Sequence, residues 1–137
     1  MSKIDPYLFL NGRADEAIAF YRDALGAELA MRMSFGESPE KSPMPLPPGW
    51  DQKVMHAALQ VGDTQLMLSD ADCADDAQFK GFRLSLNCDD EASARRAFDQ
   101  LAAGGQVQMP LGKTFWSPLF GMLTDKFGIG WMVGIAG

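Results

Sequence analysis

Histidine is almost absent from this sequence and cysteine nearly so, with one of the first and two of the second in 137 residues. Cys73 and Cys88 are too few for a disulfide framework and lack metal-site spacing, so they read as ordinary reduced thiols. Basic charge is scarce as well. Acidic residues outnumber Lys and Arg 18 to 12, for a net charge of −6. No basic cluster exceeds the pair Arg95-Arg96, which shares its segment with Asp89, Asp90, Glu91 and Asp99 and reads as a solvated helix face. Nucleic-acid binders draw much of their affinity from neutralising phosphates, so no DNA or RNA partner is expected. No apolar run approaches the roughly 20 residues that span a bilayer. The opening Met1-Ser2-Lys3-Ile4-Asp5-Pro6 has no apolar stretch behind it, unlike a signal peptide. No membrane partner is expected, and the cytoplasm is the expected compartment.

What is present suits an ordinary globular domain: 47% hydrophobic and 22% charged residues. The length fits one domain, or two half-size repeats sharing one core. A repeat is visible. Leu8-Phe9-Leu10-Asn11 followed by Asp15-Glu16-Ala17 matches Leu84-Ser85-Leu86-Asn87 followed by Asp90-Glu91-Ala92, roughly half the chain further on. Each copy is a short apolar strand, then an acidic helix start, then a helix of about twelve residues. Ala14, Ala17, Ile18, Tyr21 and Leu25 form one helical stripe; Ala94, Ala97, Phe98 and Leu101 form the other. Gly26 and Gly104-Gly105 are expected to end the two helices as left-handed caps.

Period-two or short apolar runs follow each helix. They cover residues 28–35, 54–61 and 65–69 in the first half, and 106–111, 119–124 and 130–135 in the second. Gly62-Asp63 is a hairpin signal, and Asp125 with Gly128 marks a second turn. The expected order is therefore β-α-β-β-β, twice. Between Glu37 and Lys53 lie Pro39, Pro43, Pro45, Pro47 and Pro48, five of the eight prolines. That density excludes a central strand. A loop this long is a plain surface loop, a lid or a dimer arm.

These residues resemble a known family. Pro6-Tyr7-Leu8, the Ala17–Tyr21 helix and Leu25-Gly26-Ala27 look like the opening of the vicinal oxygen chelate superfamily, which contains glyoxalases, bleomycin-resistance proteins and extradiol dioxygenases. Met55-His56-Ala57, Leu66-Met67-Leu68-Ser69-Asp70, Thr114-Phe115-Trp116, the stretch from Phe120 to Gly128 and Trp131-Met132-Val133, in this order, resemble its PhnB-like branch from Tyr7 to Val133. The resemblance implies an α+β fold of two βαβββ modules, 5–70 (with the proline-rich loop 37–53) and 80–137, forming curved mixed sheets within a single domain, 1–137. It also implies a homodimer and a small-molecule pocket. A Rossmann-type methyltransferase would need a glycine-rich turn between a strand and a helix, whereas Gly128-Ile129-Gly130 leads into a strand.

Metal-binding members of that superfamily carry His, Gln or Glu ligands on the first and last strands of each half. Here those positions offer Tyr7, Leu8 and Phe9; Met67, Leu68 and Ser69; Phe82, Arg83 and Leu84; and Met132, Val133 and Gly134. None is a customary first-row metal ligand, so the pocket is expected to be apolar, without metal or cofactor. A divergent trio of His56, Asp70 and Glu37 would have to point inward together. His56 is either a hydrogen-bonded structural residue or a general base or polar anchor. Ser69 and Asp70 end a strand, where Asp70 either turns the chain or fixes a ligand. Trp116, Phe120 and Trp131, with Phe115 and Phe35 beside them, are core aromatics or a stacking wall for a ligand. The expected ligand-binding set is Tyr7, Ser69, Asp70, Trp116, Phe120 and Trp131, with His56 as the catalytic candidate. The leading expectation is a protein that binds or sequesters an unidentified small molecule. The alternatives are a lyase, isomerase or dioxygenase-like enzyme using His56 as base or a divergent metal site, or a dimeric scaffold with a filled interior.

Overall fold

The structure is a computed structural model that describes residues 2–39, 46–71 and 78–135. Positions 40–45 of the proline-rich loop and Cys73 lie outside the described residues. The order is β1 (Tyr7–Phe9), α1 (Ala14–Leu25), β2 (Glu28–Ser34), a short 3-10 turn (Trp50–Gln52), β3 (Val54–Val61), β4 (Thr64–Ser69), β5 (Leu84–Cys88), α2 (Glu91–Ala102), β6 (Gln106–Gly112), β7 (Phe120–Thr124) and β8 (Gly130–Ile135). The described strands form two four-stranded mixed sheets, ordered β1-β4-β3-β2 and β5-β8-β7-β6. In each sheet the first strand pairs parallel to the fourth, and the other pairings are antiparallel. This is the α+β glyoxalase-type fold, a βαβββ unit used twice. The chain divides into two compact units, 1–77 and 78–137.

In the first unit α1 packs on one face of its sheet. Ala14, Ala17, Ile18 and Tyr21 are buried on the helix, and Leu8, Ala57, Leu59 and Leu68 on the strands. The expected stripe differs by one position: Ala24 is buried, whereas Leu25 is only half-buried, because the helix stops there at Gly26 (φ 64°). In the second unit Ala94, Ala97, Phe98 and Leu101 of α2 face Leu123, Trp131 and Val133. Each fully buried Leu contributes about 1.5–3 kcal/mol, against about 0.3–0.5 kcal/mol for an exposed helix pair such as Arg95–Glu91. Apolar packing therefore holds the helices down.

The end of α2 meets the sequence expectation in part: Gly104 is left-handed (φ 79°). Ala103 closes it in an extended conformation, its N–H bonded to the Gln100 carbonyl. Gly105 serves a close approach instead: a Cβ there would lie 2.0 Å from the Thr124 carbonyl oxygen.

Candidate functional site

Alternation along the strands sends His56, Ala58, Tyr7 and Phe9 to the sheet face away from α1. Register adds Met33 opposite His56, Met31 and Met67 opposite Ala58, and Met67 again opposite Tyr7. Around Tyr7 and His56 the face is thus aromatic and thioether; Gln60 and Gln65 form a second polar pair further along it. Tyr7 Oη lies 2.8 Å from His56 Nδ1 in a hydrogen bond. The Tyr7 ring stacks on Phe9 at 5.1 Å between centroids and lies 5.5 Å from the imidazole. Burial pushes the Tyr7 phenol above its ordinary 10.0, opposed by a hydrogen bond with Ser69, so it keeps its proton at neutral pH.

Ser69 and Asp70 stand behind this pair. Ser69 Oγ donates to the Met55 carbonyl at 2.7 Å and accepts from the Ala71 amide at 2.9 Å. Asp70 is 1% exposed. Its carboxylate accepts from the amides of Gly12 (2.7 Å), Ala14 (3.0 Å) and Val54 (3.1 Å). It therefore caps α1 from a distance, where Arg13 offers no side-chain cap, and its negative charge suits the helix N-terminus. Of the two roles open to Asp70 in the sequence, this geometry serves the turn.

In the second unit the Thr114 amide donates to the Ser117 carbonyl, and the Ser117 amide to Thr114 Oγ1. This tight turn displays Phe115 (97% exposed) and Trp116 (49% exposed). Trp116 meets Phe115 and Phe120 edge-on at 4.7 and 5.3 Å. Trp131 faces the other way. It is 4% exposed, and its indole N–H donates to Asp125 Oδ2 at 2.8 Å. Asp125 also accepts from the amides of Phe127 and Ile129, so Trp131 and Asp125 fix the β7–β8 turn.

The structure thus brings together Tyr7, His56 and Ser69 in one place, and Trp116 with Phe120 in another. The residues fail the test for a metal centre. Among the described residues, no three His, Cys, Asp or Glu side chains come together. The trio of His56, Asp70 and Glu37 is not assembled: Asp70 is committed to three backbone amides, and Glu37 accepts from the Ser34 amide. Sequence reasoning passed over Phe9, Met33 and Met67. Phe9 was accessible from its two-residue spacing to Tyr7; the methionines needed the strand register.

The profile of the Glyoxalase/Bleomycin resistance protein/Dioxygenase superfamily matches residues 3–133. Protein YjdN of Escherichia coli (strain K12) is 38% identical over 138 residues, covering 96% of this chain and 94% of its own length. The crystal structure of protein PA1353 from Pseudomonas aeruginosa is 47% identical, with a TM-score of 0.86, over 99% of this chain and 98% of that one. The PhnB protein of Bacillus cereus is 28% identical, with a TM-score of 0.78, over 98% of this chain and 100% of that one. With the duplicated βαβββ topology, these matches place the chain in the glyoxalase, bleomycin-resistance and dioxygenase superfamily, as a PhnB-like member.

Proposed function

We propose that this chain binds a planar, largely apolar small molecule on the open face of its first sheet and sequesters it unchanged. The Tyr7–His56 hydrogen bond, set among Phe9, Met33 and Met67, carries the reading. Ligand sites are typically apolar and aromatic surfaces with few polar groups to fix orientation, and methionines let such a surface adapt. The tautomer decides the role of Nε2: with the phenol donating to Nδ1, Nε2 carries the imidazole proton and offers a donor to a ligand acceptor, whereas with Nδ1 donating to the phenol oxygen, Nε2 can accept a proton. Sequestration uses the first arrangement. The superfamily's bleomycin-resistance members give sequestration a parallel. The same reading has the protein acting in the cytoplasm as a homodimer, without nucleic-acid or membrane partners, and with Trp116 and Phe120 as a second aromatic contact.

One observation favours the enzyme reading: the single histidine is partly exposed beside a phenol, which suits a lyase, isomerase or dioxygenase-like step with His56 as base. Calorimetry against a panel of uncharged planar aromatic compounds separates the two. Sequestration expects binding without turnover, weakened about fivefold in Tyr7→Phe and about tenfold in His56→Ala, the scale of one hydrogen bond. Turnover abolished in His56→Ala supports the base. No binding across the panel, or binding indifferent to both substitutions, overturns the proposal.

A further inference from the structure

The second unit has a groove of its own, about 530 Å³ in volume, within the range of small-molecule sites. Phe79, Lys80, Phe82, Arg83, Gly130 and Met132 line it. In a chain of net charge −6 it gathers two cations, and among the described residues no carboxylate pairs with either. Arg83 is held in place. Its Nη1 donates to the Leu123 carbonyl at 2.8 Å, with the Trp131 carbonyl and Gln108 Oε1 each at 3.5 Å. Its stem lies so close over Gly130 that a Cβ there would come within 3.0 Å of Arg83 Cγ and 3.1 Å of Nη1.

That seating leaves Nε and Nη2 with no acceptor among the described residues. These two N–H groups form the fork that meets a carboxylate through two parallel bonds. Lys80 adds a second positive charge, and Phe82, 49% exposed, offers an apolar wall beside Phe79 and Met132. We propose that this groove is a binding site for a small aromatic carboxylate, its acid group on Arg83 and Lys80 and its ring against Phe82. The glycine at position 130 is then a specificity device, because a Cβ there would crowd the guanidinium in this pose.

The probe is 2-naphthoate, titrated into the intact chain by calorimetry, with backbone amide shifts followed by NMR. The expected result is binding that moves the Gly130 and Met132 amides and weakens with salt. Arg83→Lys keeps the charge but loses the fork, and Gly130→Ala displaces the guanidinium; each should weaken binding about tenfold. Lys80→Gln is the control against misfolding, since Lys80 makes no ion pair with a described residue, and it should weaken binding about threefold. Neutral 2-naphthalenemethanol should bind at least tenfold more weakly, and inorganic phosphate more weakly than naphthoate. Tyr7→Phe and His56→Ala should leave naphthoate binding unchanged, which separates this groove from the first-sheet face. No naphthoate binding at millimolar concentration overturns the proposal. So does equal affinity for the alcohol, or a response confined to the Tyr7 and His56 variants.

Discussion

Among the described residues, each half of the chain buries one aspartate, Asp70 and Asp125, and the two carboxylates join different things. Asp70 accepts from amides 58, 56 and 16 positions away, tying together the turn before α1, the first turn of α1 and the start of β3. Asp125 accepts from groups two, four and six positions away, all within one hairpin. Both accept buried hydrogen bonds from backbone amides. Their place in folding differs, because contacts between distant segments require loop closure before they bring any stabilisation. A duplicated fold has kept a buried carboxylate in each half and changed what it connects. The first half depends on a long-range clasp directly behind Tyr7 and His56. The second half builds its turn locally and caps α2 with its own Asp90.

The largest expected effect tests that contrast. Asp70→Ala and Asp125→Ala each leave buried N–H groups unsatisfied and should cost about 3–5 kcal/mol, since bonds to a charged group are worth about 1.5–3 kcal/mol each and do not fully add. In stopped-flow folding, Asp70→Ala should mainly speed unfolding, and Asp125→Ala should mainly slow folding. The same kinetic signature in both variants would break the comparison. A smaller change sharpens it. Trp131→Phe removes the bond from the indole to Asp125 Oδ2 and trims one ring, at about 2–3 kcal/mol in urea unfolding.

The two helix ends make a second contrast. Gly105→Ala should cost about 3 kcal/mol or more, because the added carbon meets backbone at Thr124 and Asp125, which cannot rotate away as a side chain would. Gly26→Ala meets nothing nearby and carries only the left-handed penalty of φ 64°, about 1–2 kcal/mol. Equal losses at the two positions would mean that Gly105 acts as a cap after all.

These cases mark how far the sequence could be read. The order of elements along the chain and both helices followed from periodicity, because Ala17, Ile18 and Tyr21 or Ala97, Phe98 and Leu101 must share a face whatever surrounds them. Asp125 was legible as a turn residue because its amide partners are its neighbours. Asp70 was ambiguous because its partners are far away in the chain. The Tyr7–His56 bond spans 49 positions and needs the β1–β4–β3 register to appear. Trp131 read equally well as a ligand wall, since an indole looks the same in sequence whether its N–H finds a ligand or a buried carboxylate. Gly105 read as part of the cap beside the left-handed Gly104 for a similar reason: sequence shows a glycine, not the atom that excludes a Cβ.

The smallest effects lie at the helix starts, where the two halves hold an aspartate low by different means. In α1, Arg32 grips Asp15 through two bonds, 2.7 and 2.8 Å long, and that contact holds its carboxyl below the ordinary 3.8. In α2, the Ser93 amide donates to Asp90 at 2.8 Å and does the same. Both groups titrate lower folded than unfolded. Each therefore stabilises the fold above pH 3.8, and that stabilisation is lost as pH falls through the lower folded value. Salt distinguishes them, because a surface ion pair is screened within about 3 Å at about 1 M ionic strength, whereas a bond to a fixed backbone amide depends little on screening. Carboxyl carbon shifts followed by NMR across acid pH, at low and high salt, should show Asp15 climbing toward 3.8 with salt while Asp90 stays low. If Asp90 moves as far as Asp15, its depression is electrostatic at long range, and the local cap does not explain it.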